Sequence, residues 1–240
     1  MTITMGWRLR WLLPVLALGM VFQLAACGDS EADQRKAFIT LLQSVPSQPG
    51  SAPPTLSEEQ KKRLGPFAND YAILTTFSQQ LRQSMAVSLK PLLEHVSQIR
   101  VPQDYLTQRD GVRSTVGAIN LLGQQVQTAK TQADSARRNL SQPQEIQVLY
   151  ERVYSLVVVQ PAVAVGNVVP AAATLAQQLA QVGDFLQAQG KQAIFVGNQV
   201  QFETAQQAAR YNALITPLAT QQRDLMNGLQ PLLPLLQPSL

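Results

Sequence analysis

From Phe67 onward the inward-facing positions recur in alternating steps of four and three: Phe67, Tyr71, Leu74, Ser78, Leu81, Met85, Ser88, Leu92, His95 and Ile99. Most are apolar and the rest are small or amphipathic. That spacing marks one face of an α-helix, and a seam sustained over this length belongs to a helical bundle. Pro91 removes one backbone hydrogen bond, so the pattern predicts a kink there. "RVPQDY" (Arg100–Tyr105) then reads as a turn into a second long helix. Its stripe is Val112, Val116, Ile119, Leu122, Val126, Ala129, Ala133, Ala136 and Leu140.

Around these two helices the same period predicts shorter pieces. "DQRKAFITLLQSV" places Phe38, Leu41, Leu42 and Val45 on one face, and the proline-rich "PSQPGSAPP" (46–54) reads as a loop. Ser57 with Gln60 forms a capping box, followed by helix-spaced pairs Glu58–Lys62 and Glu59–Arg63 on a solvated face. Ser141 to Gln144 opens a helix carrying Ile146, Leu149, Val153, Leu156 and Val157, predicted to end near Pro161. A separate helix is expected from Asn167 to Gly190, where the glycine supplies a stop.

At "AIFVGNQVQF" the period changes. Gly197-Asn198 between two short apolar runs signals a two-residue hairpin. Pairing Val196 with Gln199 puts Ala193, Phe195, Val200 and Phe202 on one apolar face, and two strands need such a face packed on helices. Thr204 and Gln207 cap a last helix, kinked near Pro217. The expected fold is therefore mainly α: an antiparallel helical bundle with one short β-hairpin near residues 193–202. The division is a leader at 1–26, an N-terminal tether at 27–32, a helical domain at 33–230 and a Pro/Leu-rich tail at 231–240. The tail's apolarity suits it to cover a core edge or touch lipid.

The first residues point to an address. Arg8 and Arg10 precede the apolar run Trp11–Phe22, which has the form of a secretory signal and falls short of the ~20 apolar residues of a membrane span. Leu24-Ala25-Ala26-Cys27 resembles the bacterial lipobox, in which the thiol is acylated, the chain is cut before it and the new amino terminus is acylated too. Cys27 is the single cysteine, so no internal disulfide forms. Acyl chains contribute ~0.8 kcal/mol per buried methylene, and two or three of them hold tightly. The expected location is a membrane-anchored lipoprotein facing the periplasm. Gly28, rather than an aspartate, follows Cys27, which favours the outer membrane over the inner.

Charge narrows the partners. Residues 1–26 hold two of the 19 basic residues and none of the 15 acidic ones, so the remainder carries +2 and is only mildly basic. Charged residues are 14% of the chain and form no concentrated Lys/Arg stripe, which argues against nucleic acid. "DQRKAFI" (33–39), "GPFANDYAIL" (65–74), "RVPQDY" (100–105) and "QQAARYN" (206–212) occur in this order behind the lipobox. In these stretches the chain resembles the YiaF-like family of bacterial lipoproteins of unknown function. The resemblance implies a lipid-anchored envelope protein and brings no reaction, ligand or catalytic residue with it.

Candidate chemistry is sparse. His95 is the only histidine and sits on the inner seam, so with an acylated Cys27 no His/Cys metal cluster can assemble, and no cofactor is expected. No phosphate-binding glycine loop or nucleophile elbow is present; a Ser-His-Asp triad would have to use His95, with nothing pointing to its partners, and a pair of carboxylates acting as acid and base is left open. Asp70 and Tyr71 beside one turn, and Arg100, Asp104 and Tyr105 beside another, are the candidate partner-binding residues, since Tyr and Arg are favoured at interface centres. Read locally, Asp104 is a helix cap and Asp70 belongs to a solvated face or a local ion pair. These two stretches are expected at opposite ends of the first helix. The reading is a non-enzymatic envelope lipoprotein that engages the membrane through its acyl chains and an envelope protein through its helical surface. The alternative is a binder of an apolar or lipid-like ligand within the bundle.

Overall fold

The computed structural model describes residues 30–236, and within them the seam from Phe67 is the inner face of α3 (Phe67–Ser88) and α4 (Lys90–Gln98). Every seam position from Phe67 to Leu92 is buried, joined by Phe77, while His95 and Ile99 at the far end are half-buried. The helix divides at Leu89, two residues before Pro91. Proline has no N–H to reach the carbonyl of Val87 and its ring crowds that carbonyl, so the interruption falls just upstream.

α5 (Asp104–Arg138) returns beside α3, and its stripe is buried at Val112, Ile119, Leu122, Val126, Ala129 and Ala133. The next helix runs on without the expected break. α6 (Gln144–Tyr154), a π-helical turn (Ser155–Val159) and α7 (Gln160–Gln189) are continuous. The widened turn lies directly ahead of Pro161: the Gln160 N–H bonds to the Ser155 carbonyl five residues back. A single wide turn absorbs the missing donor, and burial of Val157, Val158, Pro161 and Val165 holds both sides in register. The separate helices expected to meet at residues 161–167 are therefore one. The helix over Gln144–Gln192 contains an 18-residue stretch of mean hydropathy 1.8, long and apolar enough to cross a membrane, a third of it buried here. Its inner face supplies much of the core, including Val168, Ala172, Leu175 and Leu179.

α5 and α7 form the central antiparallel pair: Gly183 meets the Tyr105 carbonyl and Arg109, while Gly123 meets Val169. A Cβ on Gly183 would lie 2.6 Å from the Tyr105 oxygen, so glycine permits the approach. On the other side of α7, α8 (Ala205–Ile215) and α9 (Leu218–Leu229) divide around Pro217, and Gly228 faces Val168. Between α7 and α8 lies the hairpin, β1 (Ala193–Val196) and β2 (Gln199–Phe202), with Val196 opposite Gln199 and Ala193 opposite Phe202. Only Gly197 has positive φ (57°), the type II′ arrangement with glycine first. Phe202 packs between Phe185 and Tyr211, at 5.8 and 5.4 Å between ring centroids.

The two ends of the described chain are built into this bundle. Residues 30–44 form α1, which is helical three residues before the expected domain start. The tail is also structured as far as it is described: a 3₁₀ turn (Gln230–Leu232) leads to α10 (Leu233–Leu236), with Leu232 and Leu235 in the core and α10 against α3. Loop 46–54 threads beside it. Gly50, at φ 76°, donates its N–H to the Leu156 carbonyl, and a Cβ there would lie 2.5 Å from the Pro231 oxygen. Cys27 lies outside the described residues.

Candidate functional site

Antiparallel packing brings the start of α3, the end of α5 and the start of α6 to one end of the bundle, and α1 closes over them. Phe38 of α1 is fully buried, stacked on Phe67 at 5.0 Å and 17° and tilted against Tyr150 at 6.3 Å. The Tyr150 hydroxyl donates to the Asp70 carbonyl at 2.8 Å, and the Tyr71 hydroxyl donates to the Pro54 carbonyl at 2.9 Å. Gln142, in the α5–α6 loop, donates through Nε2 to Asp70 Oδ2 at 2.5 Å.

A second polar layer lies one turn deeper along α5 and α6. Tyr154 donates to Asp134 Oδ1 and Lys130 Nζ to Asp134 Oδ2, both at 2.6 Å. The Arg137 guanidinium lies 4.8 Å over the Tyr154 ring and pairs with Glu151 at 2.5 Å. Arg35 and Arg137 each enclose an Nε with no hydrogen-bond acceptor in the structure. Arg35 borders a cleft of about 430 Å³ and Arg137 one of about 260 Å³, and the two clefts share Ser141 and Gln142.

The titrations describe a holding network. Burial raises the Asp70 carboxyl above the usual range, and the Gln142 bond opposes this only in part. Burial also raises Asp134, but the bonds from Lys130 and Tyr154 and the charges of Lys130 and Arg137 outweigh it and leave the group low. Tyr71, Tyr150 and Tyr154 are all pushed up, chiefly by burial, so their hydroxyls stay protonated donors. Each carboxylate here is engaged by its own chain, and no group of three or more His, Cys, Asp and Glu side chains converges as metal ligands would among the described residues.

The other expected residues lie at the far end of α4, separated from Asp70 by about 30 residues of helix, at most roughly 45 Å at 1.5 Å per residue. Asp104, the first residue of α5, accepts the Arg100 and Val101 N–H groups through Oδ2 at 2.8 and 2.9 Å, which holds its carboxyl below the usual range. Its role is to close the α4–α5 turn. Tyr105 is half-buried, and burial raises its hydroxyl; the neighbouring Tyr211 hydroxyl is pushed up to about 12, first by burial and then by Tyr105. Arg100 is exposed. His95 donates from Nδ1 to Gln108 Oε1 at 2.8 Å, its ring filling the space left by Gly111, where a Cβ would lie 2.3 Å from Cε1. The five residues thus form two separate groups, and Tyr71 is a core residue with no exposed surface.

Sequence reasoning passed over Gln142, Tyr150, Tyr154, Asp134 and Arg137. Tyr150 and Tyr154 stand four apart and share a helix face, which was the available signal. It also passed over a groove of about 1010 Å³ between α1 and α2 (Glu58–Leu64). The groove has an apolar floor of Ala37, Leu41, Leu56 and Leu64, and Lys36, Lys62 and Arg63 stand on its rim. The expected pairs on α2 are replaced by Lys61–Glu58 at 2.7 Å, leaving Lys62 and Arg63 without an ion pair among the described residues.

Among the described residues the polar side chains mostly hold the bundle's own turns, which defines a mainly helical domain, and sequence comparison supplies its family. Residues 15–232 match the family described as "Protein of unknown function (DUF3053)", and the chain belongs to that family. It is 47% identical over 214 residues to "Uncharacterized protein YiaF" of Escherichia coli K12, covering 89% of this chain and 91% of that protein. The same figures hold for the proteins of that name from Escherichia coli O157:H7 and Shigella flexneri. No solved structure matches.

Proposed function

We propose that this protein is a lipid-anchored envelope lipoprotein, acylated at Cys27, whose helical domain faces the periplasm and engages an envelope protein without catalysing a reaction. The observation that supports this is the position of α1. Its Phe38 and Leu42 are built into the core, and helix is already present at residue 30, so only Gly28 and Asp29 separate Cys27 from the packed body. Those three Cα–Cα steps reach about 11 Å at most. Acyl chains on Cys27 hold the α1 end of the bundle against the membrane and point the α4–α5 turn away from it. Of the expected contact residues, Arg100 at that far end is the one fully open to a partner, while Asp70 and Asp104 brace their own surroundings.

The test compares full-length wild-type protein with Cys27→Ser in fractionated envelopes. Wild-type protein is expected in the outer-membrane fraction as a chain beginning at Cys27 with added acyl mass, and the variant without that mass. An unmodified wild-type chain starting elsewhere would overturn the reading. Crosslinking in the native envelope then identifies the partner.

The alternative of an apolar or lipid-like ligand gains little from the bundle interior. The small residues Ala172, Ala176 and Ala180 are buried in close helix contact. The groove between α1 and α2 is the feature that favours such a ligand.

A further inference from the structure

The groove between α1 and α2 lies on the element that directly follows the anchor. With about 11 Å of chain between Cys27 and Ser30, and Ser30 and Asp33 on the groove wall, its mouth sits within reach of the headgroup layer. That layer is roughly 5–8 Å deep on each side of the hydrocarbon. The surface of the groove is amphipathic in the sense a phospholipid needs. Leu64 is buried and Ala37, Leu41 and Leu56 are half-buried along the floor, while Lys36, Lys62 and Arg63 are exposed above it. Against these three cations the lining sets one carboxylate, Asp33. None of the three cations has an ion-pair partner among the described residues, although α2 has acidic residues within reach: Glu58 takes Lys61 instead. A solvated helix face at equilibrium with water alone gains little from such an arrangement, whereas a basic residue close to an anionic leaflet favours binding roughly fivefold.

We infer that this groove binds an anionic phospholipid of the leaflet that anchors the protein, with an acyl chain along Ala37, Leu41, Leu56 and Leu64 and the phosphate against Lys36, Lys62 and Arg63. The inference rests on anchoring at Cys27. Bound this way, the lipid fixes the rotation of the bundle about its anchor, which acyl chains on Cys27 alone do not set.

The acylated protein is reconstituted into phosphatidylcholine vesicles containing a small fraction of a photoreactive lipid, either phosphatidylglycerol or phosphatidylcholine with a diazirine on the acyl chain. Flotation reports anchoring, and mass spectrometry maps the crosslinks. The phosphatidylglycerol probe is expected to label residues 37–64 about tenfold more than the phosphatidylcholine probe, and added salt should erase the difference. Lys62→Glu with Arg63→Glu should still float and keep its helical circular dichroism, with labelling reduced to the phosphatidylcholine level. Lys36→Glu serves as a second variant if that pair disturbs α2. Equal labelling by both probes, labelling outside the groove, or crosslinks from the protein's own acyl chains within it would each overturn the inference while flotation leaves the anchor standing. Protein that fails to float would overturn the anchor and the inference with it.

Discussion

Replacing Phe38 with alanine tests the arrangement on which the functional reading depends. Phe38 has no exposed surface and its ring stacks on Phe67 and leans on Tyr150, so the substitution removes a buried ring and leaves a cavity between α1, α3 and α6. Buried Phe→Ala changes cost about 3–5 kcal/mol, and the lost aromatic pairs account for about 0.5–1.5 kcal/mol within that. A domain of ordinary stability, about 5–15 kcal/mol, survives this or releases α1 alone. Both Trp residues, Trp7 and Trp11, precede the helical domain in sequence, so its unfolding is best followed by far-UV circular dichroism in urea. With a slope of about 2–3 kcal/mol/M, the midpoint should fall by roughly 1–2.5 M. Hydrogen exchange should show lost protection across residues 38–45 before the rest of the bundle. A loss below about 1 kcal/mol, with α1 still protected, would refute the claim that α1 is a core element and that the body is held close to its anchor.

Asp70→Asn should raise stability at neutral pH by less than about 1 kcal/mol, because water screens a half-exposed carboxylate. The folded state raises the Asp70 pKa, so ionisation opposes folding above that pKa and the gain should vanish below the usual carboxylate range, as urea midpoints between pH 3 and 7 would show. Asp134 has the opposite sign: its folded pKa is depressed, so its contribution is present above the ordinary value near 3.8 and is lost as pH falls through the folded value. Asp134→Asn should accordingly flatten the acid limb of the same profile. Gly183→Ala should destabilise by about 1–3 kcal/mol in thermal unfolding despite alanine's better helix propensity, since the new Cβ meets the Tyr105 backbone oxygen.

Elements governed by neighbours a few residues apart were legible in the chain. The capping boxes of Ser57 with Gln60 and Thr204 with Gln207 form as read, because donor and acceptor lie within one turn. The hairpin register follows from Gly197 at the one position needing positive φ, and the seam from Phe67 to Leu92 follows from helical period alone. The tertiary structure decided whatever depended on surfaces far apart in sequence. Pro161 reads locally as a stop, yet one missing hydrogen bond is absorbed by a π turn because both flanks are buried against the bundle. Tyr71 and Tyr105 carry the same side chain beside similar turns. Tyr71 is sealed in the core with its hydroxyl on the Pro54 carbonyl, and Tyr105 stays half-open beside Gly183, since burial is set by what packs against a face and not by the face itself. The lipobox motif suggests an anchor; that Phe38, eleven residues beyond Cys27, docks into the core was decided by the rings of Phe67 and Tyr150, which lie far from it in sequence.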